Sequence, residues 1–430
     1  MQGEVIMINL IEKLLKNNKE ISSYKIIERN VISNELYFVH KNIETVRNVA
    51  TTEYSVTLYI MHDGFIGDAS FKVFKSQTEE EIEEKINNTI LNAKEVSNKV
   101  YSLESDIKSN DEIESNFKEY NLKDIAEKIS EAAFKADNIT NASINALEIF
   151  VKKITRRIVT STNIDRKEVS YEAMVEAIPT WTIGNDSVEL YKQYNFSNLN
   201  LDDITLKINE ALMEVKARFE AKKPEEEINC PIAIRGLEQQ TLLNEIASQL
   251  SYASVYQKAN IIKIGDDLNP SNKCDKLTLT MASEIKGGSN NHKFDSDGSS
   301  LLTTKLIDNG KVISYFGGVK YATYTNMKNT GALSNIKVEC GNTSIKDFKL
   351  PYFELVSLSG LQVDMYNDYV GGEIRLGYLH TKDGIKPITG VSFQTSIKSL
   401  FDNLVLSKEE EVYEGYLGPK LLMFNNAKVL

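Results

Sequence analysis

Glu245 is the residue whose neighbours come nearest to hydrolytic chemistry. It stands in Leu242-Leu243-Asn244-Glu245-Ile246-Ala247-Ser248-Gln249, a stretch that reads as a zinc-peptidase helix without its histidines. Such a helix presents two imidazoles to the metal and a glutamate to the metal-bound water, whose pKa the ion lowers to about 7. Here the amides Asn244 and Gln249 stand at the two imidazole places. Neutral amides are poor zinc ligands, so Glu245 has no metal-bound water to activate. Positions five apart also lie about 140° apart on a regular helix, so a paired site would require a local distortion as well. No histidine occurs between His62 and His292, so a shift of frame would not restore the site. The expectation is no catalytic residue, no metal and no cofactor held by this chain.

Other constellations are weaker. The four histidines, His40, His62, His292 and His380, are scattered, and none forms an i, i+4 pair. His292 with Asp295 and Asp297 suggests a hard-metal loop, but Gly298 comes too early for an EF-hand and the closing glutamate is missing. A surface turn is expected there. Cys230, Cys274 and Cys340 are too few and too scattered for a zinc cluster, and an odd count is no disulfide framework. Neither a phosphate loop nor a Gly-x-Ser-x-Gly elbow occurs. Glycines at 317, 318, 331, 360, 371 and 372 stand near strand ends. Either they let a peptide backbone add a strand to an open edge, with Gly331, Gly371, Gly372 and the adjacent Glu373 as candidate contacts, or they are bulges and tight turns of a curved sheet. Trp181 belongs either to an exposed loop or to a packed core.

The elements that position these residues have an α+β pattern. Residues 82–94 parallel residues 204–216, with identities at Ile82/Ile204, Lys85/Lys207, Ile86/Ile208, Asn87/Asn209 and Lys94/Lys216 in one helical register. Thr78 and Asp202 are the expected N-caps. Ahead of the first helix come strand-like runs at 23–28, 36–40, 55–61 and 69–74, and ahead of the second at 146–151, 157–161, 169–177 and 187–196. Each unit reads as an antiparallel sheet with helices on one face. Residues 104–119, polar and charged, read as an exposed connector or a frayed helix. A charged run with Pro224 marks the next boundary, giving expected domains of 1–105, 120–222 and 223–430.

Beyond Ser251 helix signals fade and short strands take over, at 277–281, 353–358, 373–380 and 384–391, with Asp308-Asn309-Gly310 as a hairpin between 301–307 and 311–316. A short helix is expected within 394–403. The third domain is therefore β-rich.

Composition fits a soluble protein inside the cell. The 430 residues suffice for two or three domains, and 41% hydrophobic with 26% charged residues is ordinary for a globular chain. A formal net charge of -11 opposes nonspecific contact with nucleic acid. No secretory signal or membrane-spanning stretch is evident, so the expected location is the cytoplasm.

The same residues, taken in order, resemble the TldD/PmbA family over nearly the whole chain, strongly from Cys230 onward. Family members of the TldD type carry His-Glu-x-x-x-His after a strand and turn, here Pro231-Ile232-Ala233-Ile234 and Arg235-Gly236. Members of the PmbA type, also called TldE, lack the histidines. Ser254-Val255-Tyr256-Gln257-Lys258 is similar to the PmbA continuation, and Phe294-Asp295-Ser296-Asp297-Gly298 to the family's Phe-Asp-x-Glu-Gly turn, with Asp297 where Glu is usual. Asn329-Thr330-Gly331, Cys340-Gly341 and Gly371-Gly372-Glu373-Ile374-Arg375 follow in family order. The resemblance implies a barrel-like C-terminal domain and a non-metallated subunit that pairs with a TldD-like partner, which alone carries zinc, to degrade or trim small or unfolded peptides. A modulator of DNA gyrase is the family's other label, and the acidic charge gives direct DNA contact no support. The alternative is a stand-alone homodimeric peptide-binding protein or regulator with the same fold and no peptidase activity.

Overall fold

The N-terminal half of the computed structural model, which describes residues 2–268, 270 and 274–430, is one sheet built from two similar halves. The first comprises helix α1 (Gln2–Asn17), strands β1 (Ser23–Val39), β2 (Asn42–His62) and β3 (Phe65–Phe74), and helix α2 (Glu79–Lys94). After strand β4 (Lys108–Glu112) and a 3-10 turn at Asn116–Glu119, the second comprises α3 (Leu122–Ala136), β5 (Ala142–Thr160), β6 (Asp165–Ile183), β7 (Asp186–Glu189), β8 (Lys192–Phe196) and α4 (Leu201–Glu220). Strand order is β3-β2-β1-β5-β6-β4, with β7 and β8 also paired to β6. Antiparallel pairing of β1 with β5, from Lys25 opposite Thr160 to Val39 opposite Ala146, welds the halves into a single surface.

The repeat is visible at atomic level in its helices. Ile82, Ile86, Thr89, Ile90 and Ala93 are the buried positions of α2, and Ile204, Ile208, Ala211, Leu212 and Val215 are buried at the same five places of α4, where Glu214 joins them. Thr78 caps α2 through a capping box. The α4 cap is Asn200 rather than Asp202: its side chain accepts from Asp203 N at 3.2 Å, and it stands four residues ahead of Ile204, as Thr78 does ahead of Ile82.

Two corrections concern strand length. The runs 23–28 and 36–40 are one strand, because the polar residues between them are satisfied across the ladder: Asn30 donates to Thr52 Oγ1 at 2.8 Å and Asn34 to Asn48 Oδ1 at 2.9 Å. The polar 104–119 segment is not wholly a connector either, since β4 pairs in parallel with β6. Trp181 is a core residue on β6, 6% exposed, packed with Leu190 and Val215.

The C-terminal half opens with β9 (Ile228–Ile234), α5 (Gly236–Gln249), α6 (Tyr252–Tyr256), β10 (Leu279–Ala282), β11 (Thr304–Asp308), β12 (Lys311–Val312), α7 (Val319–Thr325) and β13 (Asn335–Val338). It continues with β14 (Tyr352–Asp364), β15 (Tyr369–Thr381), β16 (Gly384–Ile388), β17 (Val391–Thr395), α8 (Ile397–Leu400), β18 (Val405–Leu406), β19 (Glu410–Tyr413), β20 (Tyr416–Pro419) and β21 (Leu422–Val429). Pairing runs β14-β9-β21-β17-β15 and returns from β15 to β14, so these five strands close a barrel. A second sheet, β12-β11-β10-β13-β20-β19, lies beside it. Helix α5 is held between them: its Leu242, Leu243, Ile246 and Ala247 share one core with Ile232 and Phe353 of the barrel and Leu279 and Ile336 of the second sheet.

Residues 309 and 310 turn the expected hairpin, with positive φ at both Asn309 and Gly310. Helix α7 departs from expectation. Its Val-Lys-Tyr-Ala-Thr-Tyr-Thr composition favours a strand, but burial of Val319 and Ala322 and a left-handed Asn326 cap hold it helical. Among the described residues, no helix is long and apolar enough to cross a membrane.

Candidate functional site

Strand β9 delivers the chain to α5 through Arg235 and Gly236, whose φ of +57° makes the turn. The apolar side of α5 faces the shared core, which sends Asn244 and Glu245 to the exposed side. Gln249 points elsewhere. It is 6% exposed and its Oε1 accepts from Ile261 N at 2.9 Å. The two amides therefore do not converge, and one is committed to holding the chain after α6. These residues do not fit zinc, and among the described residues no group of three or more His, Cys, Asp or Glu side chains is placed to hold a metal ion.

The candidate peptide contacts fall in two places. Gly371 and Gly372 lie inside the barrel wall, with β14 on one side and β17 on the other. No open edge exists there, so a peptide cannot add a strand at these glycines. They permit close approach instead: a Cβ on Gly372 would sit 2.6 Å from Gly360 O, and one on Gly371 2.7 Å from Phe393 O. The β14 register slips between Leu355 and Leu361, as bulges do. Glu373 accepts from Ser359 Oγ at 3.1 Å, and Arg375 Nε donates to the same hydroxyl at 3.3 Å. Ser359 and Glu373, with Gly360, Gly372 and Gln394, line a cleft of about 440 Å³. Gly331 is outside it. Its φ is +75°, its N–H donates to Asn329 Oδ1 at 2.9 Å, and it packs against Ser300 and Leu301.

The turn from Phe294 to Gly298 is not a surface turn. Its ring lies between two guanidinium groups, Arg156 at 4.5 Å and Arg166 at 4.7 Å from the centroid, both on the N-terminal sheet. Arg156 also donates to Phe294 O, while Arg166 Nη1 reaches Gly298 O at 3.1 Å. Asp295 accepts from Asp297 N, Ser299 N and Ala332 N at 2.9–3.0 Å. Burial pushes its carboxyl pKa up despite those donors. Asp297 forms an ion pair with Lys25 at 2.5 Å. Glu168, 2% exposed, accepts from His292 Nδ1 and Lys293 N, each at 2.8 Å, and pairs with Arg156 at 2.8 Å. Of the three residues that suggested a metal loop, His292 and Asp297 thus fasten one half of the molecule to the other, while Asp295 holds the turn itself.

A second junction was not anticipated in the sequence. Glu214 of α4 pairs with Lys192 of β8 and with Arg235 at the mouth of α5. Arg235 Nε continues to Glu354 Oε1 at 3.4 Å, and Glu354 Oε2 to His380 Nε2 at 2.9 Å. The His380 ring stacks on Tyr352, 4.2 Å between centroids and 10° from parallel. Tyr352 and His380 are directly opposed on β14 and β15. The i, i+2 spacing of Tyr352 and Glu354 was the available signal, but the partner strand was needed to interpret it.

A closed barrel and a second sheet with helix α5 between them, joined by two charged junctions to a duplicated sheet-and-helix half, define a two-part α+β protein. Residues 229–429 match the PmbA/TldA metallopeptidase C-terminal domain. The C-terminal half is thus of the PmbA/TldA domain type. In fold it is similar to TldE from Thermococcus kodakarensis, with a TM-score of 0.80 at 16% identity over 98% of this chain and 99% of that one. A candidate DNA gyrase modulator from Thermotoga maritima MSB8 gives 0.77 at 14% identity over 99% and 100%. Another, from Bacteroides thetaiotaomicron VPI-5482, gives 0.79 at 16% over 98% and 97%. No curated protein matches the sequence.

Proposed function

We propose that this chain is the non-metallated, PmbA/TldE-like subunit of a cytoplasmic TldD/TldE-type metallopeptidase acting on small or unfolded peptides. The observation that carries this reading is the fate of the Asn244/Gln249 pair. One amide is exposed and the other is buried on Ile261 N, which leaves Glu245 without a water-activating ion. In this reading a TldD-like partner supplies zinc and base, while this chain completes and shapes the chamber. Zinc content and peptide hydrolysis, measured on the purified chain alone and mixed with a TldD-type partner, test it. No zinc and no cleavage alone, with cleavage gained on mixing, supports the proposal. About one zinc per chain, or chelator-sensitive cleavage by the chain alone, overturns it.

A further inference from the structure

A cleft of about 680 Å³ opens beside the Glu354–His380 pair, between the 3-10 turn at Ile345–Asp347 and the ends of β14 and β15. Its floor is apolar and buried, formed by Phe348, Tyr352 and Leu421. Leu350 and Ile385 stand at its rim, 42% and 61% exposed. Isolated apolar residues on a surface require no explanation, but two that flank a concave apolar floor mark an apolar binding surface.

The charges lining the cleft are not balanced. Glu354 is ion-paired with Arg235 and hydrogen-bonded to His380, while Glu409 accepts from the neutral donors Ser344 Oγ at 2.6 Å and Ile345 N at 3.0 Å and keeps its charge. The ammonium groups of Lys346 and Lys420 line the same cleft and form no ion pair among the described residues. Lys420 is half-buried and Lys346 is exposed. Three cations, Arg235, Lys346 and Lys420, thus face two carboxylates, Glu354 and Glu409, around an apolar floor. That combination suits a ligand with an apolar body and a single carboxylate.

We propose that this cleft binds the C-terminus of a peptide whose last side chain is apolar, with the terminal carboxylate on Lys420 and the side chain over Phe348, Tyr352 and Leu421. The choice of a peptide over another organic acid rests on the peptidase-subunit reading. The volume suits it too, exceeding one side chain and fitting a short stretch of backbone.

Fluorescence anisotropy on the isolated full-length chain tests this with an N-terminally fluorescein-labelled hexapeptide of five alanines and a terminal leucine. The free acid binds, and its C-terminal amide binds about tenfold more weakly, the loss expected for a charge-assisted contact. Lys420→Ala weakens the acid and leaves the amide unchanged, and Leu350→Asp weakens both. These are surface side chains, and an unchanged thermal melt confirms folding. Equal binding of acid and amide, no binding of either, or indifference to Lys420→Ala overturns the proposal. Octanoate competing as well as the unlabelled peptide also overturns it, in favour of a free-acid site. Cleavage gained on mixing with a TldD-type partner but no binding here would sink this inference alone. Binding here without cleavage on mixing would sink the subunit reading alone.

Discussion

Gln249 Oε1 lies 2.9 Å from the amide nitrogen of Ile261, a bond that a metal-binding residue at this place could not make while ligating. Gln249→Leu would leave that N–H without a partner in a partly buried setting and should cost about 1–3 kcal/mol, read as a lower urea midpoint at unchanged slope. Restoring imidazoles tests the geometry further. The double substitution Asn244→His with Gln249→His should still bind no stoichiometric zinc, because one position faces solvent and the other the interior. One tightly held zinc per chain in elemental analysis would show that the helix can present both residues on one side.

Phe294 is fully buried between Arg156 and Arg166. Phe294→Ala should destabilise the chain by about 3–5 kcal/mol, the usual cost of emptying an aromatic core site, and should raise protease sensitivity where the two halves meet. Phe294→Leu keeps most of the volume and should recover a large part of the loss. If both behave like the parent in urea melts, the turn is not a structural anchor.

The same junction gives a pH dependence with a definite sign. Burial alone would raise the Glu168 carboxyl pKa, but the His292 hydrogen bond, the Arg156 charge and the Lys293 amide outweigh it, so the folded-state pKa falls below the ordinary value of 4.5. A lowered carboxyl pKa contributes stability above that ordinary value, and the contribution is lost as pH drops through the folded one. Asp295, shifted upward, works in the opposite direction, so the comparison must isolate Glu168. Glu168→Gln should therefore lose much of its stability relative to the parent at pH 7 and much less at pH 3. A difference independent of pH would assign the role of Glu168 to packing alone.

Periodicity was enough to find the duplicated helices, because Ile82, Ile86 and Ile90 and their counterparts recur at the spacing of one buried face. The hairpin at Asn309-Gly310 was legible because those residues tolerate positive φ. Long-range pairing was not legible. Asn30 and Asn34 look like breaks until Thr52 and Asn48 face them. The peptide-edge option at Gly371 and Gly372 fails for a similar reason: glycine spacing cannot say whether a strand has one neighbour or two. His292 and His380 were equally opaque, since each acquires meaning from a glutamate 124 or 26 residues away in sequence.

Gly372→Ala separates structural from binding roles at β15. Its Cβ would meet Gly360 O at 2.6 Å, so β14 and β15 would have to move apart and the barrel should lose about 1–3 kcal/mol. Glu373→Gln alters a neighbouring exposed position without that clash and should leave the urea midpoint unchanged. Equal stability of both variants would mean that the barrel wall yields easily at Gly360.

Arg235 pairs with carboxylates of both halves, Glu214 on α4 and Glu354 on β14. Its own burial opposes the charge, but Glu214, Glu354 and Glu411 outweigh that and raise its pKa, so it remains a fixed positive centre. Arg235→Met keeps the length and apolar stem while leaving both carboxylates short of a partner. Breaking one side of a buried pair costs about 3–5 kcal/mol, although Lys192 and His380 still hold the two glutamates from their far sides and should keep the loss near the lower end. Glu354→Gln should restore part of the stability in the double variant, because it removes one of the two stranded charges, and a double-mutant cycle measures that recovery directly. Strict additivity of the two losses would mean that Arg235 and Glu354 do not act as a pair, and that the barrel is joined to α4 through Glu214 alone.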